Sequence, residues 1–201
     1  MRDDALSVIV CGASAALDLP GYLVRLRQSV AAPLRLLLTH GAERFLRAEA
    51  LAWHADEAYG PGDLVNPTEL ALRSRGLAVL PATANMLAGA ALGLAGSPAQ
   101  TALLAHPRPA LFFPSMNAVM WDKPAVRRHV TTLRAEGHVV VDPQPGEVYE
   151  LWSGRVVEGR GLVPPDRAAQ VLASWWETLP APGTPVAERS GEPFGERSDV
   201  G

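Results

Sequence analysis

A chain of 201 residues with one cysteine, Cys11, cannot hold an internal disulfide. Lysine is almost missing too: Lys123 stands alone, and every other basic residue is arginine. That bias fits a GC-rich, bacterial genome and carries no chemistry of its own. Charge of either sign is scarce. The net charge is −3, from 18 basic and 21 acidic residues, which leaves no electrostatic footprint for nucleic acid or another polyanion. No apolar run approaches the roughly 20 residues that cross a bilayer. The opening MRDDALSVIVCG puts two acids where a secretory signal needs bases, and its apolar run is short. A cytoplasmic protein is expected, with no nucleic acid, membrane or metal as partner. The length suffices for one domain with a sizeable core.

What is present is an alternation of two periods. LSVIVCG (6–12) is an apolar run of strand type ending at Gly12, and AALDLPGYLVRLRQSV (15–30) follows with helical spacing, Leu19, Leu23, Leu26 and Val30 on one face. PLRLLLTH (33–40) is the next strand, and GAERFLRAEAL (41–51) the next helix. HADEAYGPGDLVN (54–66) is rich in Gly, Asp and Pro and is expected to be a loop. A short helix over 67–75, a strand over 76–83 and a small-residue helix over 84–96 follow. Then come a strand over 108–114, a helix over 124–137 opened by Pro124 and closed by Gly137, and a strand over 138–143. This order predicts an α/β fold, a Rossmann-like (flavodoxin-like) three-layer sandwich whose parallel sheet is covered on both faces. Residues 1–179 form the expected domain. Residues 180–201 have many Pro, Gly and charged residues and little to bury, and are expected to be a disordered tail.

In such sheets ligands bind beyond the carboxyl ends of the strands. The rule selects Gly12 to Ser14, Thr39 to Gly41, Pro81 to Asn85 and Pro114 to Asn117. Gly12-Ala13-Ser14 opens a helix after the first strand, where backbone N–H groups can cradle a phosphate. The GxGxxG fingerprint is not met, since Ser14 and Leu17 stand where glycines belong; a plain tight turn explains the stretch as well. Thr83 and Asn85 are good helix caps. A cap also explains Asn117, but not Met116, Met120 and Trp121 around it. That composition suggests a buried pocket wall carrying one amide, with methionine suited to a flat aromatic ligand.

Two of these turns carry motifs. Pro81-Ala82-Thr83-Ala84-Asn85-Met86 resembles a PASANT motif, and Pro114 to Trp121 matches PxMNxxMW at every fixed position. Together they resemble the homo-oligomeric flavin-containing cysteine decarboxylases. That family includes phosphopantothenoylcysteine decarboxylase and the enzymes that decarboxylate the C-terminal cysteine of lantibiotic precursor peptides. VIVCGASAAL, LLLTHGAERFL and EGRGL fit the same register, so the resemblance covers residues 6–179.

The resemblance implies FMN held by Gly12, Ala13, Ser14 and Thr39, by Ala82, Thr83, Ala84 and Asn85, and by Ser115 and Met120. It implies that Asn117 binds the carboxylate of the substrate cysteine, with Asn85 and Met116 beside it, and that the flavin oxidises the thiol side so that carbon dioxide can leave. It also implies a homo-oligomer, trimer or dodecamer, in which Trp175 and Trp176 are either interface aromatics or helix core. Two departures stand out. Pro67 occupies the position of the family's catalytic histidine and cannot exchange a proton. Nearby, Asp63, Asn66, Thr68 and Glu69 are the alternatives, and Glu69 is the expected base. Leu151-Trp152-Ser153-Gly154 lies where coenzyme A-pathway members carry a reducing cysteine; peptide-directed members lack it as well. The expected function is therefore oxidative decarboxylation of a precursor peptide ending in cysteine, giving an aminoenethiol. The alternatives are phosphopantothenoylcysteine decarboxylation and a non-catalytic flavin-binding subunit.

Overall fold

The structure, a computed structural model, describes residues 1–180. The expected tail lies, from residue 181 onward, outside the described residues. In chain order the elements are β1 (Ala5–Val10), α1 (Leu19–Ser29), β2 (Leu34–Leu38), α2 (Ala48–Leu51), β3 (Glu57–Tyr59), α3 (Pro67–Leu72), β4 (Ser74–Ala82) and α4 (Ala84–Ala91). There follow α5 (Pro98–Ala105), β5 (Leu111–Pro114), α6 (Ala118–Trp121), α7 (Pro124–Ala135), β6 (Val139–Val140), β7 (Gln144–Glu150), β8 (Arg155–Gly161) and α8 (Pro165–Thr178). Six strands form one parallel sheet in the order β3-β2-β1-β4-β5-β6, and β7 pairs with β8 in a separate antiparallel hairpin.

The strands read as unbroken apolar runs because both faces of the sheet are covered. Leu6, Val8 and Val10 of β1 pack with Leu36 and Leu38, Phe113, and the α1 and α8 side chains Leu23, Leu26 and Leu172. Ile9 and Cys11 point the other way, into a second core with Leu37, Val79 and Phe112 and with Leu70, Leu87, Leu103 and Leu133 from α3, α4, α5 and α7. The period of two thus sorts one hydrophobic run onto two faces. Trp175 and Trp176 are both buried in the first core. A Cβ on Gly76 would sit 2.8 Å from Trp175 and 2.9 Å from Trp176, so α8 lies directly on the start of β4. Both tryptophans are helix core.

Several boundaries differ from the sequence expectation. The segment 54–66 contains β3, a three-residue edge strand paired with β2 through Arg35↔Glu57 to Leu37↔Tyr59. Its glycine- and proline-rich flanks mask it. Ser14–Asp18 forms a tight 3-10 turn, and the helix proper starts at Leu19 with Pro20 in its first turn. The helix expected over 84–96 stops at Ala91. Ser97 then caps α5, accepting the Gln100 N–H at 3.3 Å. The strand expected over 138–143 pairs only over Val139 and Val140. The hairpin mixes charged residues with Val148, Val156 and Val157, and neither of its strands has a buried residue. Without one continuous apolar face it gives a weak strand signal.

Candidate functional site

The four turns selected by the carboxyl-end rule follow β2, β1, β4 and β5, which are neighbours in the sheet. Backbone hydrogen bonds join them in series. The Thr39 N–H and hydroxyl both donate to the Val10 carbonyl, at 2.9 and 3.0 Å. The Cys11 N–H donates to the Pro81 carbonyl at 3.2 Å, and the Ser115 N–H to the Ala82 carbonyl at 2.9 Å. The two motifs, 34 positions apart when counted from Pro81 to Ser115, are therefore zipped edge to edge. Gly12 has its own reason: a Cβ there would collide with the Gly41 carbonyl group. The glycine lets two turns touch backbone to backbone, so its presence needs no phosphate to explain it.

Each capping role is also real. Thr83 accepts the Met86 N–H at 3.3 Å, and Asn117 Oδ1 accepts the Met120 N–H at 2.9 Å. Asn117's side-chain oxygen is thereby committed to the cap. Ser14, Asn85 and Asn117 are exposed, and Ala13, Thr83, Ala84 and Ser115 are half-buried. Cys11 lies beneath them, fully packed. Burial pushes its thiol up to about 12, against opposing hydrogen bonds from Thr83, so it is an inert core side chain.

The pocket-wall expectation for Met116, Met120 and Trp121 divides. Trp121 is core at 1% exposure, with the Arg127 guanidinium 5.1 Å from its ring centroid, and Met116 packs against the same core. Met120 is 43% exposed and Val119 71%. Side chains of this helix therefore edge an open shelf rather than a closed cavity.

Glu69, the expected base, is exposed in the first turn of α3, and its carboxylate pairs with Arg73 at 2.9 Å, which also holds Asp3 at 2.8 Å. An i, i+4 partner on a solvated helix face accounts for it fully. Pro67 opens α3, and Asn66 caps it by accepting the Thr68 and Glu69 N–H groups at 3.0 and 3.1 Å. Ser153 lies in the turn of the β7–β8 hairpin, where its hydroxyl donates to Glu150 at 2.9 Å.

A cavity of about 80 Å³ opens at the same carboxyl-terminal edge, lined among others by Thr39, His40, Gly60, Asp63, Val65 and Ser97. His40 was not singled out by sequence reasoning. Its only signal is its place directly after Thr39 at the end of a strand. A larger cleft of about 250 Å³ lies at the opposite edge, beside His106, Glu136 and His138, and neither motif reaches it. Burial there pushes His106 down to about 4; its Nδ1 faces the Ala71 carbonyl at 3.1 Å.

Residues 1–160 match the flavoprotein family. The chain belongs to that family. This flavoprotein is 31% identical over 172 residues to mersacidin decarboxylase from Bacillus sp. (strain HIL-Y85/54728), a match covering 84% of this chain and 88% of that protein. The solved structure of MrsD from Bacillus sp. HIL-Y85/54728 superposes with a TM-score of 0.75 at 29% identity, covering 87% of this chain and 97% of that one. A variant of EpiD complexed with the substrate peptide DSYTC superposes with a TM-score of 0.77 at 22% identity, covering 85% and 98%. That likeness shows the shared fold.

Proposed function

We propose that this flavoprotein is an FMN-dependent decarboxylase that acts on the C-terminal cysteine of a ribosomally made precursor peptide and releases an aminoenethiol. The observation that carries the proposal is the joining of the Pro81–Met86 and Pro114–Trp121 turns by the Ser115–Ala82 hydrogen bond at the carboxyl edge of the sheet. Similarity to mersacidin decarboxylase over 84% of this chain and 88% of that protein supports it.

The residues present fit FMN. Gly12, Ala13, Ser14 and Thr39 offer small side chains, hydroxyls and helix-start N–H groups to a phosphate. Thr83 to Asn85, Ser115 and the exposed Met120 offer a largely apolar strip with one thioether to a flat ring, whereas Ala82, expected to touch the cofactor, is fully buried. Bound there, the flavin supplies a two-electron oxidation. Asn117, its oxygen committed to the Met120 N–H, presents amide donors to the substrate carboxylate. Asn85 and Met116 flank it.

The test is to load the protein with FMN and add a peptide ending in cysteine. Loss of about 46 Da, carbon dioxide plus two hydrogens, together with bleaching of the flavin is the expected result. Unchanged peptide in the presence of bound FMN would shift the assignment to a flavin-binding regulatory subunit, the reading that Pro67 favours. Ser153 in the hairpin turn speaks against phosphopantothenoylcysteine as substrate, since a hydroxyl cannot reduce the enethiol.

The open shelf at Val119 and Met120 supports a homo-oligomer, a trimer or four trimers, in which a second copy supplies the missing wall and excludes water. Cytoplasmic residence is part of the same proposal; among the described residues no helix is long and apolar enough to cross a membrane.

A further inference from the structure

The cleft of about 250 Å³ at the amino-terminal edge of the sheet has an apolar rim, the half-exposed Leu94 and Leu104, and a polar lining of Gln100, His106, Glu136 and His138. Its two imidazoles have opposite hydrogen-bonding sense. Nδ1 of His106 lies 3.1 Å from the Ala71 carbonyl. A carbonyl only accepts, so Nδ1 carries the ring proton and Nε2 is a bare lone pair. His106 is 7% exposed, and among the described residues no hydrogen-bond partner reaches that Nε2. Ala71 belongs to α3, which contributes no residue to the cleft, so the opposite, Nε2 edge of the ring is the one turned to it. Burial, aided by the Arg108 charge, keeps the ring neutral and the lone pair available near neutral pH. In His138 the order is reversed. Its Nδ1 accepts the Ala110 N–H at 2.8 Å, so Nε2 carries the proton. That Nε2 stands 4.0 Å from a Glu136 carboxylate oxygen, too far for a hydrogen bond. The rings are close enough for the charge of one to act on the other. A metal ion does not suit the pair, because His138 offers a proton where a ligand needs a lone pair. Glu136 disfavours an anion in the cleft, and the nearby Arg108 guanidinium disfavours a cation.

We propose that this cleft is a second binding site, for a small neutral molecule that presents a planar carboxamide or lactam edge. The N–H of that edge donates to His106 Nε2, and its carbonyl accepts from the His138 Nε2–H. The body of the molecule lies on Leu94 and Leu104. The space equals that of about eight waters, which suits a compound of one or two rings. An apolar rim with a few placed polar groups is the usual make-up of small-molecule sites. Binding fills the one hydrogen-bonding position of His106 that the fold leaves open, and a buried acceptor left unpaired is costly. The cleft and the two motifs lie at opposite edges of the sheet, so the inference does not depend on the decarboxylase assignment.

The experiment uses the full chain loaded with FMN and three probes of one size: benzamide, benzoate and benzylamine. NMR of the imidazole nitrogens reads tautomer and binding together, and a melting curve checks that each variant is folded. Benzamide is expected to shift the Nε2 signals of His106 and His138 with a Kd of about 1 mM. Benzoate and benzylamine are expected to bind about tenfold more weakly or less. His106→Asn keeps a donor for the Ala71 carbonyl and removes the Nε2 acceptor, so it is expected to fold and to lose benzamide affinity by about tenfold. His138→Asn keeps an acceptor for the Ala110 N–H and removes the donor, with a loss of similar size. Ring signals that stay unmoved up to about 10 mM benzamide would show that solvent alone serves His106 Nε2 and would overturn the proposal. Equal benzamide affinity in His106→Asn and wild type would overturn it too, as would benzoate or benzylamine binding as tightly as benzamide. Should His106→Asn fail to fold, the three-probe titration of the wild type and His138→Asn decide the outcome.

Discussion

Asn117 caps α6 with its side-chain oxygen through the Met120 N–H, and the proposed function assigns its NH2 end to the substrate carboxylate. Substitutions separate the two. Asn117→Asp retains an acceptor for the cap but replaces the donors with a negative charge. It is expected to keep thermal stability near wild type and to lose peptide decarboxylation with FMN still bound. Asn117→Ala loses the activity and the cap together, at about 1 kcal/mol for the cap. Thermal melts and flavin absorbance of both variants check this. An active Asn117→Asp protein would remove the carboxylate-binding role.

At the scale of the element, β3 shows how a three-residue strand is held. Arg35 of β2 is 1% exposed and pairs with Glu57 of β3 at 2.5 Å. It also donates to Ser7 of β1 and Ser74 of β4, at 3.3 and 3.4 Å, and to the Arg2 carbonyl. One guanidinium thus spans four strands on one face of the sheet. Burial alone would raise the Glu57 carboxyl. The Arg35 hydrogen bond, the Arg2 N–H and the Arg35 charge outweigh it and hold the group below its usual range. Asp56 is lowered in the same way, its burial offset by the Leu34 N–H, Arg27 and Arg2. A carboxyl lowered in the folded state stabilises above its unfolded pKa, and that contribution is lost as pH falls through the folded value. Melting temperature is therefore expected to drop on acidification below about pH 4.5. Glu57→Gln should show a smaller drop from a lower starting point, because Arg35 keeps its buried charge without its partner. Equal acid sensitivity in variant and wild type would show that other carboxylates control that transition.

For the whole molecule, the exposed apolar side chains matter more than the core. Val119 and Met120 edge the site, Leu64 stands in the loop beside it, and Trp152 caps the hairpin at 85% exposure. Patches of this kind mark contact surfaces more often than free ones. Light scattering at micromolar concentration is expected to give a multiple of the 21.3 kDa chain mass consistent with trimers. A monomer would leave the shelf without a second wall and count against the enclosed site.

The layered α/β class and the four ligand-side turns were legible in the sequence, because apolar runs ending in Gly, Thr, Ala and Pro state both the strand and its carboxyl end. Asn117 was legible as a polar residue out of place among hydrophobes, and Thr83 and Asn85 as cap residues at a strand end. The local pattern could not tell how far a turn approaches its neighbour, so the close contact of Gly12 with the Gly41 backbone was not legible. It could not tell that Arg73 takes Glu69, that Trp175 and Trp176 both enter the core, or that a three-residue run becomes a strand through a buried arginine on another strand. Sequence carries the period and chemistry of each segment, whereas the pairing of charges, the closeness of backbones and the edge at which a histidine emerges depend on segments far apart in the chain, and only the tertiary packing decides them.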